Sequence, residues 1–217
     1  MSNETASVGR NKHGQALGRK GVESRRRLLE AGRTLLTRAE KLTPSSVARA
    51  AGLASQTFYL YFADINELLL ILAEEATGDM GEVMATLDGP WDPASIEQHS
   101  RRFVDAFYGF WDTHSAVLSF RNFQSDLGDP AFIQVRQEAA MPIVTSIAKR
   151  ISTAQGAEEL SEPDALARAV IIYAAIERLA ARPATLARRS ASLQEADLRR
   201  AEAEILTLLF TRPSTRG

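Results

Sequence analysis

Aromatic side chains are concentrated in residues 58–62, Phe-Tyr-Leu-Tyr-Phe, although the 217 residues contain only nine Phe, four Tyr and two Trp. A tyrosine can bury its ring and still present its hydroxyl to a phosphate oxygen. Just upstream, the amide of Gln56 can pair with two atoms of an adenine. The pattern therefore predicts phosphate contact by Tyr59, with Phe58 and Phe62 in the core. For Tyr61, phosphate contact and burial both stay open.

Residues for other kinds of chemistry are scarce. The chain has no cysteine, which excludes a thiolate nucleophile, a thiolate metal site and a disulfide. Its three histidines are His13, His99 and His114, and none follows a glutamate by three residues, the spacing of helical carboxylate metal centres. Neither a Gly-x-Ser-x-Gly turn nor a phosphate loop ending in Gly-Lys-Ser/Thr occurs. We therefore expect no enzyme activity, no metal and no cofactor.

Charge is distributed unevenly along the chain. Residues 1–60 hold 11 Lys or Arg against four Glu, whereas residues 61–217 hold 15 basic and 23 acidic side chains. A basic segment before an acidic body favours a polyanionic partner for the first segment. The alternative for Arg25–Arg27 is a solvated helix face. No apolar run approaches the ~20 residues of a membrane span, so a cytoplasmic protein without a membrane partner is expected.

Apolar residues recur at helical spacing, and no strand-like alternation is long enough to matter. Residues 1–21 lack this periodicity and predict a disordered basic arm. The expected fold is all-α, with Pro142 inside one helix as a predicted kink. About nine helices are predicted: from Ser24, Thr43 to Gly52, Ser55–Tyr61, Ile65 to Leu87, Pro93 to Thr113, Ser115 to Leu127, Asp129 to Gly156, Ser161 to Arg182 and Ser192 to Arg212.

The second and third helices are short and are joined by a turn that contains Gly52. Two such helices predict a helix-turn-helix, which lays its second helix in the major groove of DNA. The inward-pointing residues would then be Val47, Ala51, Leu53 and Phe58, and Ala48 would be small where the two helices cross. This element would position the glutamine and tyrosine side chains described above.

The run LTPSSVARAAGLASQTFYLYFADINELL resembles the DNA-binding segment of tetracycline-repressor-type (TetR) regulators. The shared pattern is a Thr, then Val-Ala, a Gly in the turn, a short helix ending in Tyr-x-x-Phe and a Leu-rich fourth helix. The resemblance covers about residues 24–72. It implies a homodimeric repressor that binds a palindromic operator in double-stranded DNA and releases it when a small molecule binds the C-terminal body.

Residue by residue, the resemblance implies phosphate or base contacts at the start of the second helix and along the recognition helix. Two positions depart from the family pattern. Ala54 stands where a capping serine is frequent, so Ser55 is expected to act as the cap instead. Ile65 stands where a phosphate-binding lysine is frequent. The implied DNA-binding residues are Thr43, Ser45, Ser46, Ser55, Gln56, Thr57, Tyr59 and Tyr61.

The remainder of the chain is expected to bind the effector and to form the dimer. The predicted domains are the arm (1–21), the DNA-binding domain (22–70) and the ligand-binding and dimerisation domain (71–217). The last two helices carry the apolar stripes of a dimer interface. Ordinary core is the alternative for each candidate effector contact, and an activator or architectural DNA binder without an effector is the alternative function. Candidate contacts with an apolar or aromatic effector are Phe103, Phe107, Phe110, Trp111, Phe120, Phe123, Met141, Tyr173 and Ile176.

Overall fold

A computed structural model describes residues 16–89, 91–92, 94–155, 160–181 and 194–211. These residues form helices and no β-strand, which confirms the predicted all-α class. The nine helices of the described ranges are α1 (Arg19–Thr37), α2 (Pro44–Ala50), α3 (Ser55–Tyr61), α4 (Ile65–Gly78), α5 (Gly81–Thr86), α6 (Ile96–Asp126), α7 (Pro130–Gln155), α8 (Glu162–Ala180) and α9 (Glu195–Phe210).

Three helix boundaries differ from the sequence-based expectation. The first helix begins at Arg19, so residues 19–21 of the predicted disordered arm are helical. The predicted helix from Ile65 to Leu87 is interrupted between Gly78 and Gly81, because glycine is a poor helix former. The two helices expected on either side of residue 114 form the single helix α6, since neither proline nor glycine stops the chain there.

Other helix boundaries follow the local signals. Ser161 caps α8 by accepting from the backbone N–H of Asp164, and a proline follows in the first turn. Gln194, paired with Asp197, caps α9, while the predicted cap Ser192 lies outside the described residues. Pro142 lies inside α7. The predicted bend at that residue stays a prediction.

The described residues divide into two compact units. The N-terminal unit contains residues up to 76 together with residues 116–133, and the C-terminal unit contains residues 77–115 and 134 onward. The sequence had assigned residues 116–133 to the ligand-binding body. The predicted domain boundary at residue 70 stays a prediction, because clusters of contacts do not test which segments fold independently.

The core of the N-terminal unit is formed by one face of each of its first four helices. α1 and α4 approach closely at Gly32, where an added Cβ would lie 2.6 Å from a methyl carbon of Leu68. A larger residue at position 32 would therefore push the helices apart. Fully buried side chains of this core are Leu28, Val47, Ala48, Phe58, Phe62, Leu68 and Leu72.

The C-terminal unit is built around the aromatic face of α6. The rings of Phe107 and Tyr173 meet edge to face, with centroids 5.9 Å apart, so α6 packs on α8 in this region. None of the helices in the described ranges combines the length and apolar character needed to cross a membrane. Further buried side chains of this core are Phe103, Trp111, Ile143, Ile147, Ile172, Ile176 and Leu206.

Candidate nucleic-acid interface

The second helix begins with a complete capping box. The Thr43 hydroxyl oxygen accepts from the backbone N–H of Ser46 at 3.0 Å, and the Ser46 hydroxyl oxygen accepts from the backbone N–H of Thr43 at 2.9 Å. Pro44 occupies the first helical position, where its missing N–H costs nothing. The two hydroxyls predicted to contact DNA therefore already determine where α2 starts. Their DNA contacts stay predictions.

The turn between α2 and α3 requires Gly52. Its φ of +66° is in the left-handed region, and an added Cβ would lie 2.8 Å from the Arg27 guanidinium. That guanidinium donates a hydrogen bond to the backbone carbonyl of Ala51. Arg27 thus satisfies a carbonyl at the end of α2 and joins α1 to the turn.

The recognition helix α3 rests on two fully buried rings. Phe58 and Phe62 have no exposed surface, and their centroids are 5.4 Å apart. The guanidinium of Arg25 lies 5.5 Å from the centroid of the Phe62 ring, within cation–π range. Both phenylalanines occupy the core, as expected. The buried rings hold α3 by its inner face.

The basic triplet Arg25–Arg27 has three different environments. Arg25 is only 5% exposed, and burial lowers the pKa of its guanidinium while nearby glutamates oppose the shift. Arg26 forms an exposed ion pair with Glu23 at 2.8 Å. Because Arg27 bonds the α2 turn, the triplet is neither a uniform polyanion-binding patch nor a uniform solvated face.

The outer face of α3 is exposed. Ser55, Gln56, Tyr59 and Leu60 are exposed and recur three and four residues apart, so they share one stripe of the helix. Tyr59 is 42% exposed and Leu60 58%, whereas Tyr61 is 9% exposed. The burial of Tyr61 favours the core alternative for its ring. Leu60 was not among the predicted residues, although its position four residues after Gln56 would have indicated this face.

Two further features correct or extend the sequence-based expectation. Ala54 is the N-cap of α3 and no side chain caps this helix, so Ser55 does not act as the substitute cap that was expected. Its exposed hydroxyl is not engaged in capping. On α2, Ser45 and Arg49 are exposed one turn apart, while Thr57 on α3 is half-buried.

The basic arm is only partly within the described ranges. Arg19 and Lys20 are exposed in the first turn of α1. Arg10 and Lys12 lie outside the described residues. DNA contact by the arm stays a prediction.

Most predicted effector contacts lie in the core of the C-terminal unit. Phe103, Phe107 and Phe110 follow one another along α6 with ring centroids 6.0 and 6.5 Å apart. Trp111, Tyr173 and Ile176 are also buried. This packing favours the ordinary-core alternative for these six residues.

The other three predicted contacts lie in different surroundings. Phe120 packs edge to face on Phe132 with centroids 5.7 Å apart, inside the N-terminal unit. Phe123 is 58% exposed and Met141 48% exposed. The nine candidates therefore do not surround one cavity. Their role in effector binding stays a prediction.

A cleft of about 790 Å³ lies elsewhere in the C-terminal unit. Its apolar walls include Leu87, Trp91, Ile96 and Phe210, and none of the predicted effector contacts lines it. Such a volume suits a small-molecule ligand. Its polar lining consists of Asp88, Ser146, Lys149, Arg150, Thr153 and Thr211.

Trp91 and Arg150 lie in contact with each other in the lining of this cleft. The Arg150 guanidinium lies 4.9 Å from the Trp91 ring centroid, and Phe210 meets the same ring edge to face at 5.1 Å. One Arg150 nitrogen donates to the Ser146 hydroxyl at 2.7 Å, and the other to the carbonyl of Leu87. Sequence analysis missed this site because its residues are far apart in the chain and share no periodic pattern.

The side chains of the described ranges include no group of three or more His, Asp or Glu placed to hold a metal ion. No curated protein matches this chain in sequence. Solved structures do match its fold. The fatty acid degradation regulator FadR from Bacillus halodurans is 14% identical, with a TM-score of 0.64 over 93% of this chain and 99% of that one.

Two further solved structures have the same fold. A TetR-like transcriptional regulator from Rhodococcus sp. RHA1 is 21% identical, with a TM-score of 0.59 over 89% of this chain and 96% of that one. SmeT, solved in complex with triclosan, is 13% identical, with a TM-score of 0.56 over 88% of this chain and 93% of that one.

A sequence comparison identifies the family independently of these folds. Residues 84–215 match the family model described as the tetracyclin repressor-like C-terminal domain, which covers more than half of the chain. Proteins of this family are DNA-binding regulators rather than enzymes. The chain therefore belongs to the tetracycline-repressor-like family of transcriptional regulators.

Proposed function

We propose that this regulator is a repressor that binds a palindromic operator as a dimer and releases it when a small apolar or aromatic effector binds its C-terminal unit. The observation that carries the proposal is the exposed stripe of Gln56, Tyr59 and Leu60 on α3, opposite two buried rings. A helix held by its inner face can place such a stripe against base edges in the major groove.

The side chains of this stripe suit different roles. The Gln56 amide can donate a hydrogen bond to N7 of adenine and accept one from the N6 amino group. The other bases do not present this pair of atoms in the major groove, so Gln56 would discriminate sequence. The Tyr59 hydroxyl offers one polar group at the end of an apolar ring, which suits a phosphate oxygen. Leu60 is apolar and exposed, which suits the methyl group of thymine.

The dimer proposal is supported by exposed apolar side chains on the last two helices. Val170 and Ile171 on α8 are 48% and 71% exposed, and Leu208 on α9 is 70% exposed. α8 and α9 contact each other within the C-terminal unit, so these side chains can form one apolar surface. An isologous dimer through that surface requires a two-fold operator with half-sites about one helical turn apart, ~34 Å.

The effector proposal is supported by the family and by the cleft of the C-terminal unit. SmeT, which has the same fold, is known in complex with the small aromatic molecule triclosan. A ligand that binds the DNA-free state more tightly than the DNA-bound state would release the operator. An activator or an architectural protein of the same fold is the alternative function, and insensitivity of DNA binding to every effector would favour it.

The first experiment selects preferred duplexes from a random library and measures binding by fluorescence anisotropy at one salt concentration. Gln56→Ala is expected to lose ~1–3 kcal/mol on the selected operator and to relax preference at one base pair. Tyr59→Phe is expected to weaken the operator and a scrambled duplex by the same smaller amount, because a phosphate contact carries no sequence information.

The two variants control for each other, because both side chains are exposed and neither substitution should lower the melting temperature. A change of preferred sequence in Tyr59→Phe but not in Gln56→Ala would reverse the two roles. The proposal of a dimeric repressor fails if selection yields no preferred sequence and light scattering shows a monomer at micromolar concentration.

A further inference from the structure

The cleft around Trp91 combines apolar walls with the cationic side chains of Lys149 and Arg150. Two donors are buried and have no partner among the described residues: the indole Nε1–H of Trp91 and the Nε–H of Arg150. Leaving a buried donor unpaired is destabilising. Both side chains line the same cleft, but neighbouring atoms cover these two donors, so the accessible cation of the described lining is Lys149.

The charge of the lining indicates the sign of that ligand. Among the described residues that line the cleft, Lys149 and Arg150 contribute two positive charges and Asp88 is the one acidic side chain. Burial lowers the pKa of Arg150, while Asp88 opposes the shift, which means that the desolvated guanidinium lacks full compensation for its charge. An anion would supply that compensation, whereas a cation would be repelled.

The apolar walls indicate what the rest of the ligand must be. Trp91 has Phe210 edge to face at 5.1 Å and His99 stacked at 5.0 Å, so its ring is held in position by the protein. Leu87 and Ile96 extend the apolar wall. A ligand body without polar groups is required here, because a polar group on these walls would be left unpaired.

We propose that this cleft is a binding site for an amphiphilic monocarboxylate, with the carboxylate beside the Lys149 ammonium and the positive charge of Arg150, and the hydrocarbon body on the apolar walls. The site rests on its own geometry, and its role as the effector site rests on the proposed function. The guanidinium of Arg150 already bonds Leu87 at the end of α5 and Ser146 on α7, so a bound carboxylate would add a contact to the group that joins these elements.

The test uses the full-length protein without DNA and three probes of equal chain length: decanoate, decanol and decylamine below their aggregation limits. Titration calorimetry is expected to show decanoate binding at least ~10-fold more tightly than decanol, since a charge-assisted hydrogen bond is strong, and no binding of decylamine. Intrinsic tryptophan fluorescence gives a second readout of decanoate binding. The chain contains two tryptophans, Trp91 and Trp111, and Trp111 is buried, so a fluorescence change on binding should disappear in Trp91→Phe.

Two variants locate the site while retaining the Arg150 hydrogen bonds. Ala154→Phe fills the cleft and should abolish decanoate binding, whereas Thr145→Phe, an exposed position of α7 outside the cleft lining, should leave it unchanged. Lys149→Met should reduce the preference for decanoate over decanol. Circular dichroism verifies that each variant is folded.

The outcomes separate the site from the proposed function. Equal affinity for decanoate and decanol, or full binding by folded Ala154→Phe, would overturn the carboxylate site even if the protein binds its operator. Binding of decanoate that disappears in Ala154→Phe supports the site. If decanoate binds in the cleft but does not release the operator, the carboxylate site is supported and its proposed role in releasing DNA is contradicted.

Discussion

The N-terminal and C-terminal units differ in whether their polar side chains have hydrogen-bond partners. In the N-terminal unit, the part-buried hydroxyls of Thr43 and Ser46 cap each other, and the part-buried Arg27 guanidinium donates to the carbonyl of Ala51. In the described ranges, the buried side-chain nitrogen and oxygen atoms without a hydrogen-bond partner all belong to the C-terminal unit: those of Trp91, Ser100, Tyr108, Arg150, Arg199 and Glu202.

One of these groups in the C-terminal unit is a carboxylate. Glu202 on α9 is 4% exposed, and burial raises its pKa to about 7, although Tyr108 and Arg199 lower it in part. Arg199 lies over the Tyr108 ring at 4.4 Å and also reaches Asp105 at 3.7 Å. Burial also raises the pKa of Tyr108.

This difference in hydrogen bonding indicates which perturbations should alter the stability of each unit. A unit whose polar groups are satisfied by near neighbours has one well-defined structure, which suits a helix that must match base edges. A unit with unpaired buried groups gains free energy from any ligand or proton that pairs them. We therefore expect the N-terminal unit to respond to packing changes and the C-terminal unit to ligand and pH.

The largest expected effect on stability concerns the buried phenylalanine on the inner face of the recognition helix. Phe58→Ala removes a fully buried ring and should lower the free energy of unfolding by ~3–5 kcal/mol. Denaturant titration measures this loss, and DNA binding should fall with it. Tyr59→Ala is the adjacent control, since this ring is exposed. Equal losses for both variants would show that α3 is not held by its inner face.

The next effect tests the buried carboxylate through pH. A Glu202 pKa near 7 in the folded state, against 4.5 when unfolded, gives stability that is complete below about pH 4.5 and is lost as pH rises through about 7. That shift corresponds to about 3 kcal/mol at pH 8. Glu202→Gln should therefore be more stable than the parent at pH 8 and should flatten the dependence between pH 5 and 8.

Melting temperatures measured across that pH range, at one protein concentration, test the comparison. Asp197→Asn on the same helix is the control, because the pKa of Asp197 is lowered through its bond to the Gln194 backbone. Its effect should have the opposite sign, with the variant less stable at neutral pH. A Glu202→Gln profile parallel to that of the parent would contradict a neutral buried Glu202.

A smaller effect is expected at the turn of the helix-turn-helix. Gly52→Ala places a Cβ at a φ of +66° and against the Arg27 guanidinium, which should cost ~1–2 kcal/mol of stability. Gly128→Ala is a matched control for the backbone term, because Gly128 has a φ of +89° with open space around it. A greater loss of stability in Gly52→Ala than in Gly128→Ala would measure the cost of the close approach between the new Cβ and the Arg27 guanidinium. Equal losses of stability would show that this close approach contributes nothing.

The smallest predicted effect concerns the cap of α2. Thr43→Ala removes one of the two reciprocal capping bonds and should cost ~1 kcal/mol of stability. Thr43→Ser retains the hydroxyl and should restore most of the loss in chemical denaturation. If Thr43→Ser still weakens DNA binding, the threonine has a role in DNA contact that is separate from capping.

Much of the N-terminal unit could be predicted from the sequence. Thr43-Pro44 and Gly52 are local signals for the start of a helix and for a turn, because they act on the backbone of their own residues. The recognition helix was predicted from Ser55 to Tyr61, the bounds it has in the structure. The sequence did not indicate that Arg25 of α1 is buried, and its contact with the Phe62 ring joins residues that are distant in the chain.

The sequence by itself determined the all-α class, the family and the helix-turn-helix, since helical periodicity, capping residues and turn glycines are read within a few neighbouring positions. Only the tertiary structure decided that Phe103, Phe107, Phe110 and Trp111 of α6 pack into a core and that Trp91, Arg150 and Phe210 line a cleft. The physical reason is that a cavity is formed by side chains from separate helices. Its position depends on how those helices pack, which no local pattern specifies.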